Sequence, residues 1–326
     1  QETITINQRS NVPGVYWVSK MGTLGSLLNQ TQKDTITTMI VKGEINKADF
    51  DVMKLEMPKL KYIDLKEVKC EGDKIPDFAF GGYSFNKVIT TIILPESIKE
   101  IGISAFSNCY GLTGNLTLPE GVTTIGNSAF ISCSGFTGNL ILPNKISTIG
   151  ANAFQDCSGF TGLILPDGLT TIGRSAFAYC SGFTGNLTLP DGITTISDGA
   201  FGFCHGFTGN LTLPDGITTI GMAAFSHCSG FTGLTIGKSL TTIDNGAFYG
   251  CENLSGNIVF PNRLSSIRQN AFTNSYNVAA FQFPHTIPLG YYPNMLPSGA
   301  TVKVPTEAVA TYKAANGWKD YNIVGY

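Results

Sequence analysis

Apolar residues recur along this chain with a period much longer than that of a helix or a strand. From about residue 105 to 260 one phrase repeats, and the copy over 133–156 reads C-S-G-F-T-G-N-L-I-L-P-N-K-I-S-T-I-G-A-N-A-F-Q-D. Seven cysteines (Cys109, Cys133, Cys157, Cys180, Cys204, Cys228 and Cys251) mark its register at intervals of 24, 24, 23, 24, 24 and 23 residues. A unit this short cannot bury its own apolar face. Copies must therefore stack, coil on coil, into a solenoid with one continuous core.

Within a copy the pattern changes phase. Phe160-x-x-Leu163-x-Leu165 and Phe231-x-x-Leu234-x-Ile236 predict a strand with alternate residues inside. Pro119-Glu120-Gly121, Pro190-Asp191-Gly192 and their equivalents then predict a turn. Ile-Thr-Thr-Ile-Gly suits a second short strand, because β-branched residues favour a pleated surface. An Ala-Phe pair follows, with its phenylalanine at 106, 130, 154, 177, 201, 225, 248 and 272, on a segment too short for more than a helical turn. Each of these rings is expected to plug the core.

Projecting the strand outward finds weaker copies: Ile36-x-x-Met39-x-Val41, Leu60-x-x-Ile63-x-Leu65, Ile258-x-Phe260, Phe281-x-Phe283 and Val302-x-Val304. Strand ends at 41, 65, 94, 118, 142, 165, 189, 213, 236, 260, 283 and 304 give about twelve coils. At ~4.8 Å per coil the stack is roughly 50 Å long. The 24-residue copies carry one extra residue before the strand, as at Gly138-Asn139, which suits a bulge that leaves the core in place.

Both ends leave the repeat. Asn46 followed by Asp49 reads as a capped helix start, with Phe50, Met53 and Met57 on one face until Pro58. Thr306 begins a second helix through Val309 and Tyr312 to Asn316-Gly317, and Trp318, Ile323 and Val324 offer apolar cover for the last coil. Such caps shield open sheet ends from other chains. The expected division is an N-terminal cap with degenerate repeats over 1–75, the solenoid over 76–284 and a C-terminal cap over 285–326.

Phe160-x-x-Leu163-x-Leu165-Pro166, then Leu169-x-x-Ile172-Gly173-x-x-Ala176-Phe177-x-x-Cys180, resembles the BspA-like (Treponema pallidum-type) bacterial leucine-rich-repeat proteins. Their signature is L-x-x-I-x-I-P followed by V-x-x-I-G-x-x-A-F-x-x-C. The match recurs in seven clear copies and spans about 36–304. The tail from Val304-Pro305-Thr306 through Tyr312-Lys313-Ala314-Ala315 to Gly317-Trp318 is similar to the C-terminal cap of such proteins from gut anaerobes. The fold expected is an α/β leucine-rich-repeat solenoid, strand-dominated, with two short strands and a helical turn per coil. The resemblance implies export, usually to the cell surface, binding to host proteins or other cells, no catalysis and no cofactor. It carries over no binding residue.

Composition narrows the partners. No apolar run approaches the ~18 residues of a membrane span, so no transmembrane segment is expected. Residues 105–260 hold three basic residues (Lys145, Arg174, Lys238) against eight acidic ones, a net −5, whereas the first 104 residues balance 13 against 13 and the tail carries +3. Nothing makes the basic stripe of a nucleic-acid binder. The start at Gln1, followed by the Thr-alternating Glu2-Thr3-Ile4-Thr5-Ile6, reads as a mature or trimmed chain whose export signal has been removed, which fits the extracellular or cell-surface location that the resemblance implies.

Candidate chemistry is sparse. Equivalent cysteines in adjacent coils lie ~4.8 Å apart with parallel side chains, too far for the ~3.8 Å that a disulfide requires between Cβ atoms. A reduced core ladder is expected instead, and a regular row offers no tetrahedral metal cluster. His205 follows a cysteine and His227 precedes one; a thiol–imidazole pair such as Cys204 and His205 is conceivable for nucleophilic catalysis, but a buried structural thiol is inert. The row Glu120, Asp167, Asp191 and Asp215 lacks the converging oxygens of a calcium site and reads as turn chemistry. Threonine pairs such as Thr170-Thr171 and Thr218-Thr219 read as β-propensity on a solvated face rather than an ice-binding array.

Two surface features remain. The position between the strand apolars should face outward: Ile93, Thr117, Ile141, Ile164, Thr188, Thr212, Thr235 and Val259, an uncharged row suited to a protein or peptide ligand. The slot two residues after each core phenylalanine varies freely, and Tyr179, Phe203 and His227, extended by Tyr249, make an aromatic stripe suited to a glycan. The bland readings are loop cover for the first and side-on packing for the second. A purely structural envelope array is the third possibility.

Overall fold

The computed structural model describes residues 14–82 and 88–326, so the Thr-alternating stretch at the N-terminus lies outside the described residues. Three backbone ladders run along the stack. In the first, the strand Gly138–Ile141 pairs in parallel with Phe160–Ile164, and Gly209–Thr212 with Phe231–Thr235. Gly256–Val259 pairs with Val278–Gln282, and that sheet continues through Thr301–Val304 to Asn322–Gly325. At the other end Val15–Val18, Thr38–Ile45, Tyr62–Asp64 and Thr91–Ile93 pair in the same sense.

The second ladder consists of two-residue strands. It runs from Lys74–Ile75 through Thr124–Ile125 to Thr171–Ile172, then restarts at Thr195–Ile196 and continues to Ser266–Ile267. Every isoleucine in it is buried. The threonines beside it do more than favour extended backbone: Thr170, Thr218 and Thr241 each donate a hydroxyl to a carbonyl of the preceding coil, at 3.1, 3.1 and 2.9 Å. These rows fasten coil to coil.

The third ladder lies where a helical turn was expected. Each copy there makes two successive tight turns, and each turn contains a left-handed residue, for example Ser128 and Ser132 (φ 55° and 59°) or Asn152 and Asp156 (φ 56° and 59°). Three N–H groups per coil donate across to the next: Ser128 to Ala151, Phe130 to Ala153 and Ser132 to Gln155, at 2.8, 2.8 and 2.7 Å. This pattern continues unbroken from the Phe78–Ile103 bond to the Phe272–Met295 bond.

The core between the ladders is a double column of phenylalanines. Phe106, Phe130, Phe154, Phe177, Phe201, Phe225, Phe248 and Phe272 stack with centroids 5.0–5.6 Å apart. The strand-side rings Phe136, Phe160, Phe183, Phe207 and Phe231 form a second stack and meet the first edge-to-face, as Phe177 meets Phe183 at 6.2 Å. Burial of each such ring contributes about 1.5–3 kcal/mol. The seven repeat cysteines from Cys109 to Cys251 run alongside, all buried and unpaired. Cys157 donates its S–H to the Phe130 carbonyl at 3.0 Å, and Cys204 to Phe177 at 3.1 Å. Ser275 takes the same slot one coil further on and reaches the Phe248 carbonyl.

The extra residue of the longer copies is absorbed as expected. Phe160 pairs with Gly138, the register slips once, and Leu163 then faces Leu140 in the core. Gly138 is left-handed (φ 73°), and a Cβ there would come within 2.3 Å of Asn115 Oδ1, because Asn115, Asn139, Asn186 and Asn210 each fold over the next coil's glycine.

At the N-terminal end Asn46 caps Lys47–Asp51 through a capping box. Asp49, fully buried, accepts from Asn46 N–H and also from Gly22 and Leu24 N–H at 2.6 and 2.8 Å, tying the preceding loop to the helix. At the C-terminal end Trp318 stacks edge-on against Phe283 and Tyr312 and donates Nε1–H to the Leu289 carbonyl at 3.0 Å. Ile323 and Val324 differ from a simple apolar cover. They lie in Asn322–Gly325, which lengthens the sheet by one strand while Ile323 stays buried.

Candidate functional site

The outward strand row faces solvent. Ile141, Ile164 and Val259 are 55%, 50% and 51% exposed. Thr117, Thr188, Thr212 and Thr235 are exposed too, and Ile93 is half-buried. Parallel pairing sets Ile141 directly beside Ile164, Thr212 beside Thr235, and Ile93 beside Asp64. Asn210 Nδ2 bridges the hydroxyls of Thr212 and Thr235 at 2.9 and 3.0 Å. No charge interrupts the row between Asp64 and Lys303, the latter in register with Gln282.

The row is not one continuous sheet face. Residues 116–118 and 187–189, which carry Thr117 and Thr188, form no backbone hydrogen bond to either neighbouring coil. On this side of those coils the inter-coil bonds come just before the strand, at the bridges Gly114 to Phe136 and Gly185 to Phe207 and from Thr113 to Thr90 and Thr184 to Thr161. Within the repeat, strands pair where a bulged copy is followed by an unbulged one. The structure thus brings the eight residues onto one side, in separate paired pieces with Thr117 and Thr188 in the unpaired coils between them.

The aromatic stripe is a true column. Tyr179 stacks on Phe203 with centroids 4.6 Å apart and planes 9° from parallel, and Phe203 stacks on His227 at 4.6 Å and 21°. Tyr249 meets His227 edge-on at 5.2 Å, and His205 meets Phe203 edge-on at 6.0 Å. Stacking leaves Tyr179 45% exposed, with Phe203 and His227 half-buried. The third ladder fixes all three backbones: Tyr179, Phe203 and His227 donate to Gly202, Ser226 and Tyr249 at 2.8, 2.7 and 2.6 Å.

That ladder holds these residues at φ 62°, 63° and 57°. A left-handed conformation costs a bulky side chain roughly 1–2 kcal/mol. The same slot elsewhere carries Asn108, Ser132, Asp156, Gly250 and Asn274, most of which tolerate it well. Each ring stack returns about 0.5–1.5 kcal/mol, so the three rings offset part of the strain they create. The run of Asn, Ser, Asp and Gly in this slot is the sequence signal for a left-handed position.

The catalytic alternatives find no support in the geometry. Burial pushes the Cys157 and Cys228 thiols up to about 12 and Cys204 well above the ordinary thiol range, while His205 points out to solvent against Phe203. A proton held that firmly leaves no thiolate for nucleophilic attack. In the acidic row, the Lys238 ammonium at 2.7 Å holds Asp215 below the usual carboxylate range. No group of three or more metal-ligating side chains converges among the described residues, and no helix among them is long and apolar enough to cross a membrane.

The family model of the BspA-type leucine-rich repeat region matches residues 73–208 and 183–292 in six copies. The chain belongs to this family, and its fold is the strand-dominated leucine-rich-repeat solenoid. No curated protein matches the sequence. Among solved structures, the pneumococcal vaccine antigen PcpA is similar over 89% of this chain and 79% of its own, with 18% identity and a TM-score of 0.52. A leucine-rich repeat protein from Bacteroides ovatus is 19% identical over 82% of this chain and 84% of its own, with a TM-score of 0.49. The Treponema pallidum leucine-rich repeat protein is 21% identical over 68% of this chain and 78% of its own, with a TM-score of 0.42.

Proposed function

We propose that this chain is an exported, non-enzymatic recognition scaffold of the cell surface that binds a protein or peptide along its strand face, centred on Ile141 and Ile164. The supporting observation is that paired, half-exposed isoleucine row, which lies in the uncharged stretch between Asp64 and Lys303. Solvated β-branched residues need no ligand to stabilise a sheet, but an exposed apolar pair on an otherwise polar, uncharged row favours association. Binding there rests on shape and apolar contact, since the strip has no charge for steering. The glycan reading is weaker: a sugar needs an open ring face, and in the aromatic column most faces are covered by the neighbouring ring.

Ile141→Lys with Ile164→Lys tests the reading. Both lysines are solvated in the free protein and unpaired in an apolar interface, where a stranded charge costs about 2–5 kcal/mol. The double variant should fold normally and lose the partners that the wild-type chain retains from host matrix. Retention of the same partners by the double variant would remove the strand face as the site.

A further inference from the structure

We propose that the open end of the aromatic column, at Tyr179 and Asp156, is a receptor site for the guanidinium group of an arginine presented by a partner protein. The inference stands apart from the strand-face reading, because the column belongs to the tight-turn ladder, a different segment of each coil.

The two ends of the column differ. At the far end the His227 ring lies over Gly250, where an added Cβ would come within 2.8 Å of Nδ1, and Tyr249 closes the side. At the near end Phe203 covers one face of Tyr179, and near-parallel stacking directs the other face toward the same slot of the preceding coil. That slot holds Asp156, whose N–H donates to the Ala178 carbonyl at 2.9 Å, placing it one rung below Tyr179. A tyrosine ring extends further from the backbone than an aspartate carboxylate. With Tyr179 45% exposed, the outer part of its free face is placed to overhang the space beside the carboxylate.

A planar cation fits this step in two ways at once. Stacked on the ring, within the ~6 Å of a cation–π contact, it lies about level with the carboxylate one ~4.8 Å rung below and can pair with it in its own plane. Guanidinium is planar and weakly hydrated and presents a fork of donors, whereas an ammonium satisfies the ring or the carboxylate less completely. Gln155 Nε2 donates to Asp156 Oδ2 at 3.1 Å and orients the carboxylate without neutralising it. The surrounding repeats carry three basic residues against eight acidic ones over 105–260, a field that attracts a basic partner. The strain at Tyr179, Phe203 and His227 is a further sign, since backbone held in a costly region marks sites where geometry serves something other than stability.

The test is an NMR titration of the full chain with the peptide acetyl-Gly-Arg-Gly-amide, its lysine counterpart and its citrulline counterpart, the last a neutral isostere of arginine. The arginine peptide should give saturable shifts at Tyr179 and Asp156, with upfield movement of its own side-chain protons. Lysine should bind more weakly and citrulline should not bind. Asp156→Asn keeps a residue that tolerates the left-handed turn and should weaken binding by about tenfold, on the scale of one lost charge-assisted contact. Tyr179→Ala should do the same, while Tyr179→Phe should leave affinity nearly unchanged. Equal binding of the citrulline peptide, or affinity insensitive to Asp156→Asn, would overturn the proposal. Shifts at Tyr179 with a neutral oligosaccharide and none with the arginine peptide would assign the ring to sugar instead.

Discussion

The strand side and the turn side of each coil are built from the same repeat, yet only one is continuous. The turn side carries a backbone ladder unbroken from Phe78 to Met295, although its residues sit in a conformation most side chains avoid. The strand side has sequences ideal for β-structure, and it falls into short pieces because copies of 23 and 24 residues alternate irregularly. Local preference therefore did not decide where the inter-coil bonds form. Constant spacing did: from Gly150 to Cys157 the turn segment has the same length in every copy between Cys109 and Cys251, and the length variation is confined to the strand approach.

The largest test breaks the turn side as a unit. Burial raises the column thiols Cys109, Cys157 and Cys228 to about 12 and Cys133, Cys180, Cys204 and Cys251 well above the ordinary range. Unfolded thiols ionise near 8.5, so above that pH the unfolded chain binds fewer protons than the folded one and stability falls as pH rises. Well above that pH each thiol contributes about 1.4 kcal/mol per pH unit, and the seven of the column together give a loss on the order of 10 kcal/mol per unit. Urea midpoints should hold steady below pH 8 and collapse within about two units above it. A flat profile to pH 10 would mean that the thiols are not buried as a column.

Next in size is Phe177→Ala, which removes a ring stacked between Phe154 and Phe201 and touching Phe183. It should cost about 3–5 kcal/mol in urea unfolding, because both columns lose contacts around one cavity. Ile164→Ala on the strand face, half exposed, should cost well under half of that. Comparable losses would show that the two sides share the load evenly.

Hydrogen exchange sharpens the contrast without mutation. The amides of Leu187, Thr188 and Leu189 lie in a break of the strand ladder, whereas those of Phe177 and Phe201 lie in the continuous one. The first group should exchange at least about 100-fold faster, as groups that need only local opening do. Equal protection would close the break.

The smallest effect separates strain from stacking. Phe203→Asn gives up two ring stacks and relieves the left-handed backbone, so its stability should stay within about 1 kcal/mol of wild type. Phe203→Ala gives up the stacks and keeps most of the strain, and should be less stable than Phe203→Asn by about 1 kcal/mol. Chemical denaturation of the pair measures the difference. An alanine variant as stable as the asparagine variant would show that the turn is not strained.

Much of this could be read from the residues. The cysteine spacing fixes the stacking, the Ala-Phe slot fixes the core column, and Gly138-Asn139 announces its bulge, because each is a local or periodic property of the chain. The capping box at Asn46 and Asp49 is likewise a four-residue signal, but the further role of Asp49 in holding Gly22 and Leu24 is not, since those partners are 27 and 25 residues away. The outward row was legible as a direction for each side chain. Its fragmentation was not, because pairing depends on the lengths of two neighbouring copies at once.

The sequence by itself determined the solenoid, its core and the segments that repeat, since a 23–24-residue period with one apolar face admits no other way of hiding that face from water. Only the tertiary structure decided which backbone segments bond between coils, that threonine hydroxyls fasten one coil to the last, and that Tyr179, Phe203 and His227 form a stack with one closed end and one open end. Those outcomes depend on what lies one rung away in space, about two dozen residues distant along the chain, where no local pattern reaches.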